Sequence, residues 1–108
     1  MLFRSDLVES TAVKTVFEAC EKPLVSSIKG VVGHSLGAAG AIEAMATALT
    51  LHHGLVPPSA NFLDADPSIE LDVVPNAARS AGVEAALSSS FAFGGLNAVL
   101  ALRRYSAR

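Results

Sequence analysis

The chain has 108 residues, enough for about one small domain. It is 51% hydrophobic, which excludes a disordered chain. Eight basic against ten acidic side chains leave a formal net charge of −2, which argues against a phosphate-binding nucleic-acid module. Only 17% of the residues are charged, against about a quarter in an average soluble domain, so part of the surface is expected to be covered by further protein.

The start, Met1 to Asp6, lacks the long apolar run of a signal peptide. From Asp6, with Glu9 three residues on, the pattern reads as a capping-box-like helix start. Val8, Ala12, Val13, Val16, Phe17 and Cys20 then recur at helical spacing, which predicts an amphipathic helix over 6–20, ended by Pro23. Cys20 is the only cysteine, which excludes an internal disulfide and a cysteine-only zinc site. Its place on the apolar stripe predicts a buried structural thiol.

Leu24 to Ile28 reads as a short strand, and Lys29 to Gly33 as a turn with two glycines. Ser35 to His53 reads as a second helix closed by Gly54. Gly37, Gly40, Ala41, Ala44 and Ala48 fall near one side of it, so another backbone can approach closely and the helix is expected to be central. Ser35 to Leu51 is also the one membrane-span candidate, but it carries Glu43 at its centre and is rich in Gly and Ala. A span needs about 20 predominantly apolar residues, so a buried helix, no membrane contact and a cytoplasmic location are expected. His52 and His53 sit at the last turn, where the helix dipole or solvent suits them better than a metal.

Pro57-Pro58 opens an irregular stretch that continues through Asp64-Ala65-Asp66-Pro67, and Leu71 to Val74 reads as extended. Ala85–Phe93 and Leu96–Arg103 are apolar runs around Gly94-Gly95, the pattern of a hairpin with a two-residue loop. The second run shows no polar alternation and predicts a strand covered on both faces. The order α, β, α, loop, β, β places the chain in the α/β class.

Gly33-His34-Ser35-Leu36-Gly37 matches G-x-S-x-G, the nucleophile elbow of α/β-hydrolases, with Ser35 as nucleophile. The triad histidine must follow the serine, and only His52 and His53 do. They lie at the far end of the same helix, roughly 25 Å away at 1.5 Å rise per residue, so neither can serve Ser35 within the chain.

The wider window tells more. Ser26-Ser27-Ile28-Lys29-Gly30-Val31-Val32-Gly33-His34-Ser35-Leu36-Gly37-Ala38-Ala39-Gly40-Ala41-Ile42-Glu43 resembles the β-ketoacyl-acyl-carrier-protein synthases, with their Lys, a Gly-His five residues on, L-G-A-A-G and a Glu. Val56-Pro57-Pro58-Ser59-Ala60-Asn61 is similar to the family's V-P-P-T-x-N. Leu71-Asp72-Val73-Val74-Pro75-Asn76-Ala77-Ala78-Arg79 is similar to L-D-x-V-P-x-x-A-R, and Ser90-Phe91-Ala92-Phe93-Gly94-Gly95-Leu96-Asn97 to S-F-G-F-G-G-T-N. Four ordered motifs between Ser5 and Tyr105 are far more specific than one pentapeptide.

The resemblance implies a thiolase-like α/β fold, of which 1–108 form the C-terminal part as one partial domain, with 1–4 outside the family pattern. It implies homodimers, acyl carrier protein as the partner that brings acyl and malonyl thioesters, and no cofactor. The reaction is a decarboxylative Claisen condensation in fatty-acid or polyketide synthesis. By resemblance His34 is one of two histidines that stabilise the enolate oxygen. The alternative reading is a satisfied core histidine, which its glycine-flanked turn disfavours. Lys29 matches an organising lysine and Glu43 its carboxylate partner; by charge alone they read as unrelated surface groups. Phe93 matches a gate before the nucleophile, and Phe91, Gly94 and Gly95 its supporting loop. By spacing alone, Phe91 and Phe93 are two strand residues sharing one face. Asn97 matches a structural asparagine.

Ala92 for Gly and Leu96 for Thr depart from the pattern. The family's nucleophilic Cys and its H-G-T motif find no match here, and Cys20 lies on the wrong element to replace the nucleophile. The isolated chain is therefore expected to be inactive, its apolar surfaces being those that an N-terminal part and a dimer partner cover. The slightly acidic balance gives no strong basic patch for an acidic carrier protein, although Arg103, Arg104 and Arg108 cluster at the end. A hydrolase fragment and a non-catalytic interaction module are the alternatives.

Overall fold

The computed structural model describes residues 4–106, so Met1 to Phe3 of the expected non-family start and Arg108 of the basic cluster lie outside the described residues. Helix α1 covers Arg4–Val16, strand β1 Leu24–Val25 and the one-turn helix α2 Lys29–Val32. A 3-10 turn at Leu36–Ala38 leads into helix α3, Ala39–His53. Strands β2 (Leu55–Val56), β3 (Asp72–Val73), β4 (Arg79–Ser80), β5 (Ala85–Ala92) and β6 (Leu96–Arg103) follow.

The strands form three two-stranded ladders. β1 runs parallel to β3, with Leu24 opposite Asp72 and Val25 opposite Val73, and Val74 N–H extends the ladder to Val25 O at 2.9 Å. β2 and β4 are antiparallel, and Arg79 Nη1 reaches both carboxylate oxygens of Asp72 at 2.8 Å, linking the two small ladders. β5 and β6 form a long antiparallel hairpin from the pair Ala85–Arg103 to the pair Ala92–Leu96.

Helix α3 is the central element, as its small residues predict. It packs on β2, β5 and β6. At the crossing, a Cβ on Gly40 would stand 3.8 Å from Ser90 Oγ, an ordinary van der Waals contact, so the helix meets the hairpin there without requiring glycine. The helix ends where Gly54 turns left-handed at φ 65° and its N–H closes on Thr50 O at 2.8 Å. The buried apolar residues among the described ones are Leu51 on α3, Val56 on β2 and Val74 just after β3, of which Val74 is fully buried.

Four expectations need correction. The first helix ends at Val16, and Phe17 to Ala19 form a turn, so Cys20 lies in a bend and is exposed. The stripe that was to bury it is open too: Val8 and Val16 are 68% and 70% exposed. Periodicity identifies an apolar face, but burial also needs a covering partner, and among the described residues α1 packs extensively on no other helix or strand. Secondly, Lys29 to Gly33 is a helical turn. Val32 N–H reaches Ile28 O at 3.1 Å and Gly33 N–H reaches Lys29 O at 3.0 Å.

Thirdly, β6 is exposed along almost its whole length, with Val99 and Leu100 at 52% and 53%. The hairpin turns Ala86, Ser88 and Ser90 inwards, where Ser88 is buried. No element of these residues covers the other face, where Leu87, Phe91 and Val99 stand half exposed. Fourthly, the hairpin loop has three residues, Phe93-Gly94-Gly95, with φ 85° and 81° at the glycines. Phe93 sits at the loop's start, fully exposed, and does not share a strand face with Phe91.

Lys14 fastens α1 to Glu70 in the long connection. The hydrogen bond and charge of that ammonium hold the Glu70 carboxyl below its ordinary value of 4.5. A carboxyl depressed in the folded state adds stability above its unfolded value and loses it as pH falls through the depressed one. The tether is therefore expected to hold at neutral pH and to release only below pH 4.5, followed as the Glu70 carboxyl resonance on acid titration.

Candidate active site

The site begins at a helix that stops after one turn. Gly33 leaves α2 at φ 73° and ψ −179°, a conformation that glycine alone adopts readily. The chain is thrown outward there, and His34 follows, exposed. His34 Nδ1 accepts a hydrogen bond from Leu36 N–H at 3.2 Å. That bond comes from a backbone held at φ 50°, a left-handed conformation costing a non-glycine residue about 1–2 kcal/mol. An imidazole nitrogen that accepts carries no proton. The neutral ring therefore has its proton on Nε2, which is left as a donor.

The 3-10 turn then carries the chain into α3, and Glu43 lies one turn inside that helix. Lys29 Nζ on α2 is paired with Glu43 Oε1. The two side chains are 41% and 16% exposed, so the carboxylate is largely taken from water and has its charge partner beside it. Glu43→Gln is expected to cost about 1 kcal/mol, read as a lower urea midpoint, since the Lys29 end of the pair remains partly solvated.

The structure thus brings Lys29 and Glu43 together. Phe91 lies on β5 opposite Asn97, and Phe93, Gly94 and Gly95 form the hairpin loop. Among the described residues no hydrogen bond joins His34 to the Lys29–Glu43 pair or to that loop. The nucleophile-elbow reading fails on local structure. The element before Ser35 is the helix α2, not a strand, and the Ser35 side chain caps nothing. His52 and His53 end α3 with their rings edge to face at 4.7 Å, and among the described residues no cluster fit to hold a metal occurs.

The sequence reading missed Leu36, whose main chain fixes the His34 tautomer, and it missed Asn61 and Asn76. Both asparagines adopt left-handed φ, at 61° and 52°. Asparagine tolerates that conformation, but only the tertiary fold says which one uses it.

The pattern of the family Beta-ketoacyl synthase, C-terminal domain, matches residues 4–63. The chain belongs to that family. Nodulation protein E of Rhizobium sp. (strain N33) is 45% identical over 101 residues, 93% of this chain and 25% of that protein. The 3-oxoacyl-[acyl-carrier-protein] synthase 2 of Rhizobium meliloti (strain 1021) is 42% identical over 103 residues, 94% of this chain and 24% of that one. Among solved structures, a type II polyketide synthase acyl-carrier protein in complex with its ketosynthase bound to the hexaketide superposes with a TM-score of 0.84. It does so at 35% identity over 90% of this chain and 24% of that one.

The fold is accordingly that of the ketosynthases, the thiolase-like α/β class, and the likeness extends past the family pattern to the β5–β6 hairpin. The chain spans about a quarter of the length of these curated relatives. The hydrolase reading has no counterpart in any of these matches. No described helix is long and apolar enough to cross a membrane.

Proposed function

We propose that these residues form the C-terminal part of a cytoplasmic, homodimeric condensing enzyme that joins malonyl-acyl-carrier protein to an acyl-enzyme thioester. The observation that carries this reading is the His34 tautomer, fixed by Leu36 N–H at Nδ1. When the C–C bond to the malonyl carboxylate breaks and carbon dioxide leaves, its electron pair passes to the α-carbon and is delocalised onto the thioester oxygen. A preorganised N–H aimed at that oxygen stabilises the charge as it develops. His34 Nε2–H is such a donor, and with Nδ1 accepting Leu36 N–H it meets the charge by hydrogen bonding and does not transfer its proton. The carbanion then attacks the acyl-Cys carbonyl and the cysteine thiolate leaves.

Lys29, neutralised by Glu43, organises the turn that presents His34 and does not attack. Phe93 is the proposed gate of access to the nucleophile, with Phe91, Gly94 and Gly95 its supporting loop, a role that rests on the family resemblance. The carrier protein is proposed as partner because a related ketosynthase is known in complex with one.

Within these 108 residues no motif supplies the nucleophilic Cys, and Cys20 sits in an exposed bend outside the four motifs. The purified chain given acyl- and malonyl-carrier protein is expected to yield no 3-ketoacyl product. Product is expected once the Cys- and H-G-T-bearing part of a relative, such as the Rhizobium meliloti synthase, is coexpressed with it. Ketoacyl product from the chain alone would refute the inactivity, and a reconstituted complex indifferent to loss of His34 would refute the site.

A further inference from the structure

A helix leaves its last carbonyls without partners, and something must satisfy them. In α2, Lys29 O accepts Gly33 N–H at 3.0 Å. Gly30 O comes next and would take His34 N–H if the helix ran one residue further. It accepts Asn61 Nδ2–H instead, at 3.2 Å. The segment that carries Asn61 crosses α2 backbone to backbone. A Cβ on Gly30 would lie only 2.8 Å from Ala60 O.

That segment is fastened on both sides. Ser59 Oγ accepts Ser27 N–H at 3.0 Å, and the Ser26 hydroxyl donates to Pro57 O. Ser59 N–H reaches Val74 O at 2.8 Å, and Asn76 N–H reaches Ser59 O at 3.1 Å. The Asn76 side chain brackets Phe62, accepting its N–H at 2.9 Å and donating to its carbonyl at 2.6 Å. Asn61 is therefore a side chain on a braced platform, aimed at the one carbonyl whose pairing decides whether His34 joins the helix.

We propose that Asn61 is a positioning residue for His34. By occupying Gly30 O, its amide ends α2 after one turn and keeps the His34 main chain out of the helix. Only then can Leu36 N–H reach Nδ1 and hold the proton on Nε2. The importance for catalysis rests on the oxyanion-donor reading of His34; the control of the tautomer does not.

The test uses the ¹⁵N-labelled full chain and reads the His34 ring nitrogens by long-range proton–nitrogen correlation NMR. Asn61→Asp keeps the shape and the tolerance of left-handed φ but removes the donor. Asn61→Gly supplies that φ at no steric cost, also without the donor, and so retains the fold. The wild type is expected to show one tautomer, protonated on Nε2. Both variants are expected to raise the Nδ1-protonated population several-fold, while the amide signals of α3 and the β5–β6 hairpin stay in place. A general loosening would move those signals as well, and that result would overturn the positioning role. Unchanged His34 nitrogens in both variants would overturn it too. A wild-type ring protonated on Nδ1 would overturn both this proposal and the oxyanion-donor reading, whereas unchanged variants over an Nε2-protonated wild type would remove Asn61 alone.

Discussion

His34→Ala in the reconstituted enzyme is expected to lower malonyl decarboxylation and condensation on the order of 10²–10³-fold, the usual effect of removing one oxyanion donor. Transfer of the acyl group from carrier protein to the cysteine should survive, because that step draws on groups outside these residues. The separation is measurable: acyl-enzyme accumulates, seen by intact-protein mass spectrometry, while carbon dioxide release falls. His34→Gln returns an N–H donor and should recover part of the rate. Lysine at the same place should not, although it also donates. An ammonium is a strongly hydrated point charge on a flexible stem, with no acceptor for Leu36 N–H. If acyl transfer and decarboxylation fell together, the residue would be serving the fold rather than the enolate.

The parts of the fold that were legible in the sequence are those with a local cause. The β5–β6 hairpin follows from two apolar runs around glycines that take φ 85° and 81°. Helix α3 follows from its small-residue stripe and from Gly54, which closes it. The Lys29–Glu43 pair was legible only through the resemblance, since fourteen residues and two turns separate them.

What escaped the sequence has a tertiary cause. α2 is a turn by composition and a helix by the bonds from Val32 N–H to Ile28 O and from Gly33 N–H to Lys29 O, while the Gly30 carbonyl it leaves open is met by Asn61, thirty-one residues away. Cys20 and β6 were expected to be buried because they are apolar. Yet Val8, Val16, Val99 and Leu100 are all more than half exposed in these residues. Apolar character records what a surface is suited to meet, and relatives of which this chain spans about a quarter have far more protein to set against it. The low charge content carries the same information: a surface with few charges is one not made for water alone.

Gly33→Ala should be the most damaging small substitution near the site. The space is not the obstacle, since nothing lies within 4 Å of where a Cβ would stand. The backbone is. At φ 73° and ψ −179° an alanine is strained by about 1–3 kcal/mol, and the cheapest relief is to relax into the preceding helix. That movement carries His34 with it and breaks the Leu36 N–H to Nδ1 bond. The expected result is a loss of both stability, as a lowered urea midpoint, and condensation rate in the reconstituted enzyme.

Gly30→Ala makes the contrast. It sits in α2 with an ordinary helical backbone, where alanine by itself would gain about 1 kcal/mol of helix propensity. Its Cβ would instead meet Ala60 O at 2.8 Å, a main-chain atom pinned by its neighbours Ser59 and Asn61. Overpacking of that kind costs about 1–3 kcal/mol, so the clash prevails and the net effect is destabilising. The two glycines stand three residues apart and are needed for opposite reasons, one for conformation and one for room. Replacing Gly33 with a D-alanine by chemical ligation should separate them. A D residue accepts positive φ, so activity should return at position 33, while at position 30 no change of chirality supplies the missing space.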